Sequence, residues 1–443
     1  MTKKSSKIKF ALISIVIAIG IALSVFSFSM PFTTKNFNGF LNSVELGLDV
    51  NGGYSVVYDI ELEDESALST EMDKSVNFLN TVLKNQGYSD AIVSKQGEKQ
   101  IRLEVSKNNS PKTLISTLGN AANIYIRSEQ KNEHEDGEIV GKDISNVYAL
   151  KQQTSETDFS WGVVIEFTSS ATSGKTGAEK YEDLTSKVSN SGKTIYIYMD
   201  DELFTPIKGI ESAQTTGTLF LSGGSITSEE TANQFALRVL VGTLETKLFQ
   251  GPNSVTEIPA KMGQNFLVFG ITAIAVLMIL SVVLLVVKFK DFGWIYMLSL
   301  LTYSVLLAFF MQAVPIVLLT FGGFVGIAFG VMLLFFAHAF MFNNISKEYA
   351  YGKKIPLSVK SGYKKSVLPI VDMNVCAIIL SFVLWFLGDA FTKSFGLMMF
   401  ISCALVLFVS LVVTRSYIRW YLPLNSVNAK KIGFKREEHI DEI

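Results

Sequence analysis

The chain has 443 residues, 49% hydrophobic and 18% charged, which allows two or three domains and is too apolar for a typical soluble enzyme. Its net charge of −1 hides a division, because positions 31–262 carry 32 acids and 20 bases while the remainder carries 8 acids and 19 bases. That excludes a nucleic-acid binder with a global basic field, and two cysteines in apolar runs, Cys376 and Cys403, exclude a disulfide scaffold or a cysteine zinc site.

Phe10 to Met30 is an apolar run of spanning length preceded by Lys3, Lys4, Lys7 and Lys9. It is longer than the apolar core of a cleaved signal peptide, so a retained anchor is expected, with positions 1–30 as basic N-terminus and first span. Positions 31–262 alternate short apolar strands with amphipathic helices. Strands are expected at Tyr54–Ile60, Ile101–Val105 and Ile124–Ile126, with helices at Asp64–Leu83 and Lys112–Leu118. After a polar link, Glu129–Gly141, come strands at Gly162–Phe167, Thr194–Met199 and Gly217–Leu221, and helices at Gly177–Val188 and about Ser228–Leu240. The series predicts an α+β domain of two ferredoxin-like split β-α-β subdomains. Thr227 or Ser228, with Glu230 close behind, reads as a helix cap.

Positions 263–422 are expected to hold five more spans, at about 266–287, 293–311, 316–342, 367–387 and 395–413, followed by a basic tail over 423–443. The lysine and arginine excess falls at the N-terminus, at Lys288 and Lys290, in the loop holding Lys347, Lys353, Lys354, Lys360, Lys364 and Lys365, and in the tail. Six spans put all four on one side, which by the positive-inside rule is the cytoplasm, and leave the acidic domain extracytosolic.

Several features resemble sites without being ones. Ser173-Gly174-Lys175-Thr176 and Ser191-Gly192-Lys193-Thr194 look like the end of a phosphate-binding loop, but the required earlier glycine is replaced by Ser169 and Lys187. Glu133, His134, Glu135 and Asp136 read as a solvated linker rather than a metal site. No nucleophile constellation is apparent, so neither an enzyme nor a cofactor or metal is expected. An ionisable group within a span is a functional hypothesis by default. Asp372 is the sole acid in a span interior, about five residues, or roughly 8 Å, into the fifth helix. Asn374 lies beside it, and His338 in the fourth helix sits at nearly the same depth. The three form a candidate proton relay, in which adjacent antiparallel helices would bring Asp372 and His338 together.

Leu46-Gly47-Leu48-Asp49-Val50-Asn51-Gly52-Gly53 follows the first span, and Leu221-Ser222-Gly223-Gly224 leads through Glu229 and Glu230 to Leu244. Gly352-Lys353, Gly362-Tyr363-Lys364-Lys365, Asp372-Met373-Asn374, Phe386-Leu387-Gly388 and Val413-Thr414-Arg415 follow in order. Together these segments resemble the SecD family, membrane subunits that assist the bacterial Sec export channel, within the resistance-nodulation-division superfamily. The resemblance implies six spans and one large outer domain, with a signature at Gly47, Asp49, Gly52 and Gly53 and a proton-carrying role for Asp372. It also implies partners: SecF as a separate chain, the SecY, SecE and SecG channel, SecA indirectly, an unfolded secretory polypeptide as substrate, and membrane lipid, with no nucleic acid. The family's fourth-helix acid is absent, since the two possible registers place Phe336 or Leu334 there, and His338 is a candidate substitute. From the residues alone, Gly52 and Gly53 serve equally as a tight turn before a strand.

The leading expectation is a non-enzymatic assistant of protein export in the plasma membrane, driven by the ion gradient, with both termini cytoplasmic. A small-molecule exporter of the same superfamily is the alternative, and a static receptor or scaffold a third.

Overall fold

The computed structural model describes residues 3–29, 36–61, 68–86, 88, 90–107, 111–130, 138–153, 159–170, 174–200, 202–208, 210, 212–244, 247–248, 251–263, 265–314, 317–388, 390–425 and 432–434. Glu133-His134-Glu135-Asp136 and the tail bases Lys430, Lys431, Lys435 and Arg436 lie outside them. The chain divides into two compact units, Met1–Asn51 with Pro259–Ile443, and Gly52–Ile258.

In chain order the helices are α1 (Lys3–Val25), α2 (Leu48–Asn51), α3 (Leu68–Asn85), α4 (Pro111–Gly119), α5 (Gly177–Ser191) and α6 (Glu229–Gly242). They continue with α7 (Phe266–Phe289), α8 (Asp291–Ala313), α9 (Phe321–Ala350), α10 (Ile355–Leu387), α11 (Ala390–Phe408) and α12 (Thr414–Asn425). A π-helical turn, Val409–Val413, joins α11 to α12 in one continuous run. Among the described residues six helices are long and apolar enough to cross a membrane: α1, α7, α8, α9, α10 and the run 391–424.

The spans differ from the sequence-based ranges at their ends. The first helix begins at Lys3, and α9 and α10 extend through the region expected as a loop, leaving a short elbow at 351–354. Lysines on exposed helical extensions satisfy the backbone internally as well as apolar residues do, so charge marks the membrane boundary and not the helix end. Asp372 is thus 17 residues beyond the start of α10. Between α7 and α8 the turn is Lys290 alone, at φ +48°. A Cβ on Gly293 would lie 2.4 Å from the Val286 Cα, so glycine there permits the tight return. Gly322, Gly326 and Gly330 form a stripe on α9 that admits Phe391, Met398 and Ser402 of α11 at close range, the small-residue packing usual where lipid supplies no hydrophobic drive.

Among its described residues the second unit holds three sheets. In the first, strand 53–61 lies between 100–106 and the returning segments 247–248 and 254–258, with 92–96 at the far edge. Its spatial order matches the ferredoxin-like pattern, except that the fourth strand comes from the end of the unit while 124–127 crosses to a second sheet with 139–140, 195–199 and 202–207. Strands 144–153, 159–167 and 218–222 make the third sheet. Val56, Tyr58, Leu83, Ile101, Leu103 and Ile165 are among the side chains closing the core. Asn80 of α3 pins the edge strand by exchanging two hydrogen bonds with the Val93 backbone, at 2.9 and 3.0 Å.

The two sequences resembling phosphate loops bracket α5. Thr176 is its N-cap, accepting from Glu179 N while the Glu179 carboxylate accepts from Thr176 N, and Gly192 ends it at φ +63°. Ser228 caps α6 by accepting from Thr231 N at 3.2 Å, so Thr231 stands where the sequence suggested Glu230.

Candidate functional site

The signature after α1 forms a lock on the start of α9. Glu45–Leu46 pairs in parallel with Leu318–Leu319, and Gly47 N donates to Leu319 O at 3.0 Å. That directs α2 so that the Asp49 carboxylate accepts the Phe321 N–H at 2.7 Å, at the end of α9 where unpaired N–H groups and the helix dipole favour an anion. Thr320, the N-cap, accepts from Gly323 N at 3.4 Å. A Cβ on Gly47 would lie 2.8 Å from both Thr320 Cγ2 and Asp49 Oδ1, so the approach requires glycine. Met262 N closes the arrangement on Asp49 O at 3.0 Å. Asp49 Oδ1 is buried and has no hydrogen-bond partner among the described residues. Gly52 takes φ +68°, and Gly53 opens the central strand, paired with Ser106 and Ile258.

The candidate relay residues separate into two environments. His338 is fully buried in α9. Its Nδ1 lies 2.8 Å from Leu334 O and its Nε2 2.8 Å from the Thr414 hydroxyl, and the Tyr296 and Phe342 rings stand edgewise at centroid distances of 5.0 and 5.7 Å. Asn374 is also fully buried, with Nδ2 donating to Ile370 O at 2.8 Å and Oδ1 without a partner among the described residues. Asp372, two residues earlier, is exposed and forms no hydrogen bond or ion pair with any described residue. It lies on a face of α10 whose neighbours Leu368, Val375 and Ile379 are also exposed. His338 and Asp372 are therefore not joined: both ring nitrogens are engaged elsewhere and the carboxylate points out of the bundle.

The sequence named Thr414 only within a family-like segment and gave no link from it, or from Ser299, to His338, because the three come from different helices far apart along the chain. The sequence reading also missed Glu348, a carboxylate buried near the end of α9 that binds Lys353 and Lys365 and ties the elbow to α10. The signal available was one acid among the lysines of an otherwise basic segment.

No family model matches the sequence. The protein translocase subunit SecD of Acidaminococcus fermentans is 24% identical over 411 residues, covering 93% of this chain and 91% of its own length. That of Sebaldella termitidis is 23% identical over 409 residues, covering 90% and 95%. Among solved structures, SecDF in a super-membrane-facing form superposes with a TM-score of 0.69 at 20% identity, and SecDF from Thermus thermophilus, described as a translocon-associated membrane protein, with 0.52 at 20%. Each superposition covers 96% of this chain, which spans 59% and 60% of the two SecDF chains. This multi-pass membrane protein, a bundle of six apolar helices with an α+β domain, resembles the SecD subunits in sequence along nine-tenths of its length and SecDF in fold.

Proposed function

We propose that this chain is an auxiliary subunit of the Sec protein-export machinery, using the transmembrane ion gradient to promote outward movement of unfolded polypeptides. The observation that carries the reading is the collinear similarity to SecD subunits over nearly the whole chain. In this reading the protein lies in the bacterial plasma membrane with both termini cytoplasmic and the α+β unit extracytosolic, as the lysine and arginine distribution supports. It performs no covalent chemistry and needs no cofactor.

The groups proposed to respond to the gradient are Asp372 and Asn374 on α10 and, in a separate environment, His338 on α9, with the Asp49 lock holding the start of α9 to the segment that follows the first span. An acid facing lipid is costly, so the exposed apolar face of α10 around Asp372 suits a second membrane subunit, in this reading SecF, beside the channel formed by SecY, SecE and SecG and fed by SecA. A change in protonation moves the bundle only if the two conformations bind the proton differently.

The small-molecule exporter is less well supported. A cleft of about 560 Å³ in the α+β unit is lined by charged groups, among them Glu129, Glu138, Lys187 and Lys193, rather than by the apolar wall a compact drug-like ligand requires. Binding to the full chain in lipid nanodiscs separates the readings. A labelled, reduced secretory polypeptide should bind and a panel of small apolar dyes should not; the reverse result would favour the exporter.

A further inference from the structure

The hydrogen bonds around His338 demand more protons than the neutral side chains possess. Leu334 O can only accept, so Nδ1 carries a hydrogen and the neutral ring presents a lone pair at Nε2. The Thr414 hydroxyl has one hydrogen and two neighbours that can only accept it while the ring is neutral, Nε2 at 2.8 Å and Val409 O at 2.9 Å, and a third, Ser299 Oγ at 2.9 Å, that can accept from it or donate to it. Ser299 has one hydrogen as well, and Ile295 O lies 3.0 Å from it. With the ring neutral, these two hydrogens satisfy two of the four contacts made by the hydroxyls. A proton on Nε2 reverses the His338–Thr414 bond, frees the Thr414 hydrogen for Val409 O, and raises the number satisfied to three.

Val409 begins the π-helical turn of the last span, and its carbonyl also accepts the Thr414 backbone N–H. Such turns carry a wider, less regular hydrogen-bond ladder than the α-helix and occur often at functional sites. Here the side chain that reads the histidine is the one that closes the π turn.

We propose that His338, Thr414 and Ser299 form a proton-binding site in the bundle, where a proton taken up at Nε2 turns the Thr414 hydroxyl from the ring to Val409 O in the π turn. Only an N–H bond forms, and the proton comes from and returns to solvent. The remaining groups on the surrounding elements are committed elsewhere. The Tyr296 hydroxyl of α8 donates to Ser281 of α7, and the Tyr417 hydroxyl pairs with Thr302. Arg415 lies over the Tyr363 ring at 5.1 Å and Lys288 over Phe289 at 5.1 Å, while Asp372 of α10 is exposed. Among the described residues no carboxylate or basic side chain bonds the imidazole, so the polar atoms it contacts are a hydroxyl and a carbonyl. The site deepens the gradient-driven reading, but its existence is tested without export.

The experiment is ¹⁵N NMR of the full chain in lipid vesicles, carrying His134→Asn and His439→Asn so that His338 is the only histidine. The expected result is the Nδ1–H tautomer in base, conversion to imidazolium in acid, proton binding about tenfold weaker in Thr414→Val, and near-normal binding in Thr414→Ser. An Nε2–H tautomer in base, a ring that stays neutral down to acid pH, or an unchanged midpoint in Thr414→Val would overturn the proposal. If Thr414→Val does not fold, the parent titration decides alone. If the titration is as described and export ignores the gradient, the proton site stands and the transport reading falls.

Discussion

The carboxylate of Asp49 accepts the backbone N–H of Phe321 at 2.7 Å, across 272 positions of sequence. The segment leaving the first span is thereby fixed to the start of the helix that carries His338. Replacing Asp49 with Ala removes an acceptor at a helix N-terminus and should lower stability by about 1–2 kcal/mol. Urea unfolding of the full chain in detergent measures this, and Asp49→Asn, which keeps an oxygen acceptor, should lose less.

The same lock makes Gly47 intolerant of a side chain. Gly47→Ala places a Cβ 2.8 Å from Thr320 Cγ2, and should cost about 1–3 kcal/mol. Thr320→Ser deletes that methyl and should restore part of the loss. Equal stability of Gly47→Ala and the parent would show that the segment is held less closely than described.

Asp90 predicts a pH dependence in the α+β unit. Burial raises its carboxyl above the usual range, partly offset by hydrogen bonds involving Ser106, whose N–H donates to Oδ2 at 3.2 Å. Folding therefore favours the protonated acid. The stability it contributes is fully present below the unfolded-state value and is lost as pH rises through the folded value. Hydrogen exchange of strands 92–96 and 100–106 in the full chain should slow at mildly acidic pH relative to neutral after correction for intrinsic rates. Asp90→Asn should flatten that difference.

Glu348 should matter more than an ordinary surface acid. Its side chain is buried while Lys353 is half-buried and Lys365 largely open to solvent, so Glu348→Ala leaves two lysines without their acid and loosens the elbow. A loss of about 1–2 kcal/mol is expected, with faster proteolysis at 351–354 as the readout.

The spans were legible because a charge-free run of twenty residues has few alternative fates, and Ser228 was legible as a cap because capping is local. Strand 144–153 was not, since most of its side chains face solvent and supply no alternation. Strand 254–258 is likewise mostly exposed, and its partner 53–61 lies some two hundred residues earlier. Hydropathy located Asp372 within a span yet could not assign its face, because lipid is as apolar as a bundle core. His338 was visible as an ionisable group, but its partner Thr414 lies 76 positions away and becomes evident only when the last span returns beside α9.

In the proposed function Asp372 couples an ion gradient to export. This coupling is tested most directly by import of a secretory protein into inverted membrane vesicles at fixed ATP, with and without a proton gradient, for the wild type and Asp372→Asn. Acceleration by the gradient is expected in the wild type and none in Asp372→Asn. Equal acceleration in both would contradict it.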